Sequence, residues 1–265
     1  MTRRDRPTRL RRCGAALWAA AALGGCGGGD GADADDERRS EASALISQAG
    51  KTTLAKATAR QYLDFHTEPA RKVAFTMDGV VDIGADDSRG TIRYEAFEGV
   101  DPGTEVEIIT FDDIDYFRQG GEESWLKTET TEEDAIANSS DVPDGLRNLG
   151  AVTNDARARG RESIRGVPTT RYTATVDAER IPDTLPPEQR DTARRKLQVL
   201  KEPELPVQVW IDDAGVIRRL SYEFDLDNLR APSAGEERMV ATIDLFDFGV
   251  DARVQAPPPE QTVEE

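Results

Sequence analysis

The sequence predicts an α+β fold in which helices cover an antiparallel sheet. Three observations carry that expectation. First, Leu205 to Leu226 reads as a hairpin. Val207, Val209 and Ile211 alternate with Gln208, Trp210 and Asp212; later Leu220, Tyr222, Phe224 and Leu226 alternate with Arg219, Ser221, Glu223 and Asp225. A period of two marks a strand with one wet and one buried face. Second, further short strands recur at intervals of roughly 8–12 residues, the habit of an antiparallel sheet. Third, two stretches switch to the helical period.

Between the halves of the hairpin, Asp213-Ala214-Gly215 is turn chemistry, with Gly taking the left-handed position. A three-residue loop pairs Asp212 with Val216. That pairing would turn Val209 outward unless a bulge near Arg218-Arg219 shifts the phase, so a bulge is expected there.

The chain has 265 residues, long enough for a sizeable core. It is 37% hydrophobic and 32% charged, so the core is bordered by a very polar surface. The net charge of −17 argues against nucleic acid or a bare anionic bilayer as partner. Cys13 and Cys26 are the only cysteines. The body beyond them has no disulfide and no thiolate metal site.

The amino terminus carries the most specific signal. Arg3, Arg4, Arg6, Arg9, Arg11 and Arg12 form a basic region, followed by the apolar run CGAALWAAAAL at 13–23. Eleven residues are too few to span a bilayer, which takes about twenty, but suit a signal peptide over 1–25. Leu23-Gly24-Gly25-Cys26 resembles the lipobox of bacterial lipoproteins. The resemblance implies that Cys26 receives a diacylglyceryl group and becomes the new amino terminus. Residues 26–40 are rich in Gly and Asp and read as a flexible tether.

The body follows, over 41–255. Ser40 to about Arg60 reads as a helix capped by Ser40, with Ala42, Leu45, Ile46, Ala49, Thr53 and Ala57 on one face. From about Tyr62 the period becomes two. Strands are expected around Val73 to Met77, Val81 to Ile83, Thr91 to Ala96, Glu105 to Ile108, Ile114 to Arg118 and Trp125 to Lys127, with a loop over 84–90. Residues 128–140 are acidic and irregular; Val142 to Leu149 makes one or two helical turns. Arg161 to Asp177 returns to strand. Pro187 to Leu200 is the second clear helix, with Ala193, Leu197 and Leu200 on its buried face and Pro187 at its start. After the hairpin a last strand runs from Met239 to Phe248, and 256–265 is a loose Pro- and Glu-rich tail.

This order, with the phrases GVPTTRY, W-x-D-x-x-G and FGVDARVQAPP, resembles the LppX/LprG lipoproteins within the LolA-like superfamily. The resemblance implies a strongly curved antiparallel half-barrel with helices packed on the concave face. It also implies a lipid-anchored protein on the extracytoplasmic face of the cell membrane that binds or carries acylated lipids, lipoglycans or lipoproteins. A cavity lined by Phe75, Met77, Tyr94, Ile108, Tyr172, Leu220, Tyr222 and Phe224 would shield an alkyl chain, at roughly 0.8 kcal/mol per buried CH₂. Alternation alone does not separate such a wall from ordinary packing against helices.

No G-x-S-x-G, Walker, Rossmann or H-E-x-x-H pattern occurs, and no enzyme, cofactor or metal site is expected. The single histidine, His66, reads as a surface or strand-end residue. Asp112, Asp113 and Asp115 flank a turn and read as solvated, although a hydrolase built on paired carboxylates stays open. A second alternative is an envelope sensor of the same fold, acting on a membrane transporter or regulatory protein. An acylated ligand, and the membrane through the anchor, are the partners expected first.

Overall fold

In the computed structural model the period-two stretches join into one sheet. The structure describes residues 30–129, 142–185, 187, 189–198, 200–225 and 237–264. Helix α1 is Asp30–Leu54, followed by six strands: β1 Thr58–Glu68, β2 Ala74–Asp82, β3 Asp87–Ala96, β4 Glu105–Phe111, β5 Ile114–Gln119 and β6 Trp125–Glu129. Then come α2 Val142–Asn148, β7 Arg157–Ile164, β8 Val167–Asp177, α3 Ile181–Thr184 and α4 Arg190–Leu197. The chain closes with β9 Glu204–Asp212, β10 Ile217–Asp225, β11 Arg238–Phe246 and β12 Thr262–Glu264. The twelve strands lie in the order β12-β6-β5-β4-β3-β2-β1-β11-β10-β9-β8-β7. Every pairing is antiparallel except β12 on β6. The sheet is an open, curved half-barrel, as expected.

Local chemistry explains the curvature. Bulges interrupt the pairing at Ala74/Phe75, Ala158/Gly160 and Ile217/Arg219, and each bends its strand. The last is the bulge that the hairpin register demanded. With it, Leu220 pairs with Val209 and both side chains turn to the core. The turn forms as read: the amide of Asp212 donates to the Val216 carbonyl at 2.9 Å, and Gly215 has φ +75°. Gly79 lies opposite Gly90 on the neighbouring strand. A Cβ on Gly79 would lie 2.3 Å from the Arg89 carbonyl oxygen, so the strands approach there as only glycine allows. Gly90 therefore lies inside a strand, and the expected loop 84–90 shrinks to a turn before Asp87.

Several boundaries differ from the sequence reading. The first helix begins at Asp30, so Ser40 lies inside it and caps nothing, and from Asp30 the expected tether is helical. Acidic residues suit a helix amino terminus, and Asp35 bonds Arg38 at 3.2 Å and Arg39 at 2.9 Å one turn on. The hydrogen bond from Arg38, reinforced by the charge of Arg39, holds the Asp35 carboxyl below its ordinary range. The helix ends at Leu54 instead of near Arg60. Ala57 takes φ +65°, its carbonyl accepts from Ile83 and Gly84, and the β-prone run from Thr58 joins the sheet.

The second helix starts at Arg190, later than Pro187. Pro182 sits in the first turn of α3. The strand expected to run to Phe248, β11, ends at Phe246. The tail is not loose: Pro257 is buried and Thr262–Glu264 pairs with Trp125–Lys127. Residues 1–29, with Cys26, and 130–141, most of the acidic stretch, lie outside the described residues, as does Leu226.

The core lies between the sheet and its helices. Ile46 and Ala49 of α1, Leu146 of α2 and Ile181 of α3 join the inward rows of β1, β9, β10 and β11. Thr53 ties α1 down, accepting the Ile217 amide at 2.9 Å, and the Ser43 hydroxyl donates to the Thr153 carbonyl at 2.6 Å.

Candidate functional site

The register places all eight candidate residues on one face of the sheet. Tyr172, Val209, Leu220, Ile243, Leu63, Met77 and Ile92 follow one another across seven strands. One step along the strands, Val207, Tyr222, Ala241, Phe65, Phe75 and Tyr94 form the next row. Ile108 falls in the row on one side, opposite Gly90 and Phe117. Phe224 falls on the other, opposite Met239. Side chains two residues apart share a face, so these pairings align all eight.

What covers them differs. Leu220 and Tyr222 lie under α2: a Cβ on Gly145 would come within 3.3 Å of Leu220 Cδ2, and the Tyr222 hydroxyl donates to the Gly145 carbonyl at 2.9 Å. These two side chains hold a helix. Met77 is buried, while Phe75, Tyr94, Ile108, Tyr172 and Phe224 are half-buried. Phe75 belongs to a series of rings that runs from the core to the surface. Phe65 stacks on Phe75 at 4.8 Å, Phe75 meets Tyr94 at 5.9 Å, and Tyr94 meets Phe97 edge-on at 5.4 Å. Phe65 is 7% exposed and Phe97 45%. Phe65 and Phe97 were missed by the sequence reading. Phe65 was legible from its alternation with Asp64 and His66, whereas Phe97 follows a strand end and carries no period.

The ion pairs of Asp244 and Glu107 lie on the opposite, convex face, whereas Asp115 shares the concave face with Ile108 and Phe117. Asp244 is buried and accepts from Arg219 Nε at 2.5 Å and from Arg165 Nε at 3.0 Å. Arg165, at the tip of the β7–β8 hairpin, lies 4.0 Å over the Phe246 ring and 5.3 Å from Tyr62. Trp210 Nε1 donates to Glu162 at 3.0 Å, and Arg118 pairs with Glu107 through a 2.7 Å bond. The hydrogen bond that Arg219 donates to Asp244 raises the Arg219 pKa against the cost of burial. The concave rows named above contain no ionisable group apart from tyrosine. Partial burial pushes the Tyr94 pKa up.

Two pockets lie elsewhere. One, about 370 Å³, is formed by α3, α4 and the Leu200–Pro203 segment. The other, about 220 Å³, lies between the β7–β8 hairpin tip and β11. Neither is lined by any of the eight residues. His66 Nδ1 lies 2.9 Å from Asp64 Oδ1. Asp112 and Asp113 form the β4–β5 turn with φ +52° and +61°, and Asp115 accepts from Thr110 at 2.7 Å. Among the described residues no group of three His, Cys, Asp or Glu side chains could hold a metal ion. No described helix is long and apolar enough to cross a membrane.

The profile of the family described as LppX_LprAFG lipoprotein matches residues 41–228. Among solved structures, LprF from Mycobacterium bovis superposes with a TM-score of 0.52 at 16% identity, covering 82% of this chain and 97% of that one. The lipoprotein LppX from Mycobacterium tuberculosis gives 0.49 at 16% identity, covering 81% and 98%. A LolA superfamily protein from Nitrosomonas europaea gives 0.30 at 9% identity, covering 83% and 96%. Comparison with curated protein sequences gives no match.

Proposed function

Because the chain belongs to the LppX_LprAFG lipoprotein family, we propose that it is an envelope lipoprotein, anchored through Cys26, that binds acylated molecules on its concave face. The supporting observation is the separation of chemistry across one sheet. The two central inward rows, from Tyr172 to Ile92 and from Val207 to Tyr94, carry no charge, and the ion pairs of Asp244 and Glu107 lie behind the sheet. An alkyl chain laid along such rows loses contact with water at roughly 0.8 kcal/mol per CH₂. A neutral wall does not oppose that transfer, whereas an unpaired charge would. The anchor rests on the lipobox-like run, since two acyl chains retain a protein at a membrane where one is marginal.

Two measurements test the reading. The full chain, expressed in a bacterium that lipidates its lipoproteins, is expected to sediment with membranes, and Cys26→Ser to release it to the soluble fraction. Organic extraction of the purified protein, followed by mass spectrometry, is expected to yield acylated molecules at near-stoichiometric amounts. Protein that repeatedly yields none, and takes up no acyl probe, would end the proposal.

A further inference from the structure

The chain is acidic, yet one segment is not. Residues 190–201 carry Arg190, Arg194, Arg195, Lys196 and Lys201 against Asp191 alone, in a chain of net charge −17. The segment belongs to an excursion that leaves the sheet after Asp177 and returns at Glu204. The Ala178 amide closes its base by donating to the Pro203 carbonyl at 2.8 Å. The pocket of about 370 Å³ lies inside this excursion. Leu197, Pro182 and Pro203 give it apolar walls, and Arg194 and Lys201 line it with a single carboxylate, Glu179. Arg194 pairs with Asp191 at 2.9 Å, but both side chains are more than half exposed. Such a pair yields readily to an anion that Arg can bind with two bonds.

The lining narrows the ligand. Two cations beside one carboxylate disfavour a metal ion and favour an anion. A free inorganic ion would leave the leucine and proline walls unused, whereas an anionic group on an apolar stem uses both. Position supplies a second argument. Ser43 of α1 donates to the Thr153 carbonyl, and the Thr153 amide donates to the Thr175 carbonyl at 2.9 Å, beside the base of the excursion. Arg180 of the excursion reaches the neighbouring Val152 carbonyl at 3.5 Å. From Ser43 back to Asp30 the helix runs roughly 20 Å. The step from Asp30 to Cys26 spans at most about 14 Å of chain. The base of the excursion is therefore tied closely to the residue that carries the anchor. The early turns of α1 bear Asp35, Asp36 and Glu37, which an anionic surface repels, so attraction to one falls to the basic segment.

We propose that α4 and its pocket form a peripheral docking site for the phosphate headgroups of anionic lipids, in the bilayer that holds the anchor. The phosphate meets Arg194 and Lys201, and the glycerol stem meets Leu197 and the prolines. The net charge repels the body as a whole, but charges act only over about 8–10 Å, so the body turns this segment to the surface. The proposal rests on the anchor at Cys26 and is separate from binding on the concave face.

The test uses the full lipidated chain in vesicles of phosphatidylcholine, alone or with about 30% phosphatidylglycerol. An environment-sensitive dye is placed at Gln189→Cys beside α4, or at Ala214→Cys in the β9–β10 turn, and its quenching by nitroxide-headgroup lipid is read. Quenching at 189 is expected to rise with phosphatidylglycerol and to fall again in high salt, while quenching at 214 stays low. Arg194→Gln and Lys201→Gln are each expected to lower the ratio of surface-bound to free body roughly fivefold. Arg161→Gln, an exposed arginine on β7, serves as the charge-matched control and is expected to leave the ratio unchanged. Quenching at 189 that ignores phosphatidylglycerol or both variants overturns the site while the anchor stands. A loss as large in Arg161→Gln assigns the effect to overall charge and overturns it too. A chain that does not stay with neutral vesicles overturns the anchor instead. The site is then read from co-sedimentation with phosphatidylglycerol vesicles, and binding that is absent or indifferent to the two variants overturns it.

Discussion

The two halves of the sheet share one face and one alternation, yet they end in different states. In the half made of β1 and β8–β11, the central inward side chains are sealed beneath α1 and α2, and toward the strand ends, at Tyr172 and Phe224, they stay half-buried. Val209, Leu220 and Leu245 are buried there, and Ile243 is 1% exposed. In the half made of β3–β6 with β12, the corresponding row leads through half-buried Ile108 and Phe117 to Leu126 at 37% and Val263 at 49%. The lesson is that an inward position becomes core only where another element lies on it. The covered half carries the stability, and the half with little helix above it is where a ligand's chain could substitute for a roof.

The sharpest way to break this comparison is to truncate one isoleucine in each half. Ile243→Ala is expected to cost about 3–4 kcal/mol in urea unfolding, the range for a sealed aliphatic core residue. Ile108→Ala is expected to cost less than about 1.5 kcal/mol, because water already reaches its site. Equal losses would mean that the halves are packed alike. A smaller effect concerns the attachment of α2. Tyr222→Phe removes the bond to the Gly145 carbonyl and is expected to lower stability by about 1 kcal/mol. Faster hydrogen exchange in 142–148 than in β3–β5 should accompany it; an unchanged α2 would show that packing alone holds the helix.

The smallest expected effect is a pH dependence where α1 meets the sheet. Asp155 accepts from Thr153 Oγ1 at 2.6 Å and from Thr175 Oγ1 at 2.8 Å and its amide at 3.1 Å. The same Thr153 carbonyl holds Ser43 of α1. Burial raises the Asp155 carboxyl, but the threonine bonds outweigh it and the pKa lies below the ordinary value. A folded pKa below the unfolded value means that the carboxylate adds stability above the unfolded value of about 3.9, and that this is lost as pH falls through the folded one. Wild type is therefore expected to exceed Asp155→Asn by up to about 1 kcal/mol at pH 7. The gap should close below about pH 4. A gap constant with pH would trace the loss to geometry.

Much of this was legible in the residues. Alternation within each strand selected which side chains point inward, so Phe75, Met77, Tyr94, Ile108, Tyr172, Leu220, Tyr222 and Phe224 were assigned to one surface before any pairing was known. The hairpin turn forced the bulge at Arg218 because no other register buries both Val209 and Leu220. The helix ends were less legible. Asp30 to Arg39 carries no apolar stripe, and its helix is supported by acidic residues and ion pairs instead of periodicity. The tail looked unstructured because three residues such as Thr262-Val263-Glu264 cannot declare a strand; they become one only against the free edge of β6.

The sequence by itself determined the longer strands, their inward sides and the family, since each rests on local spacing and on short phrases of residues. Tertiary structure alone decided which inward residues are sealed and which stay accessible. That outcome depends on where helices far apart in the chain settle on the sheet. Ser43 reaches Thr153, and Gly145 reaches Tyr222. No periodicity within a strand contains the position of an element lying a hundred residues away.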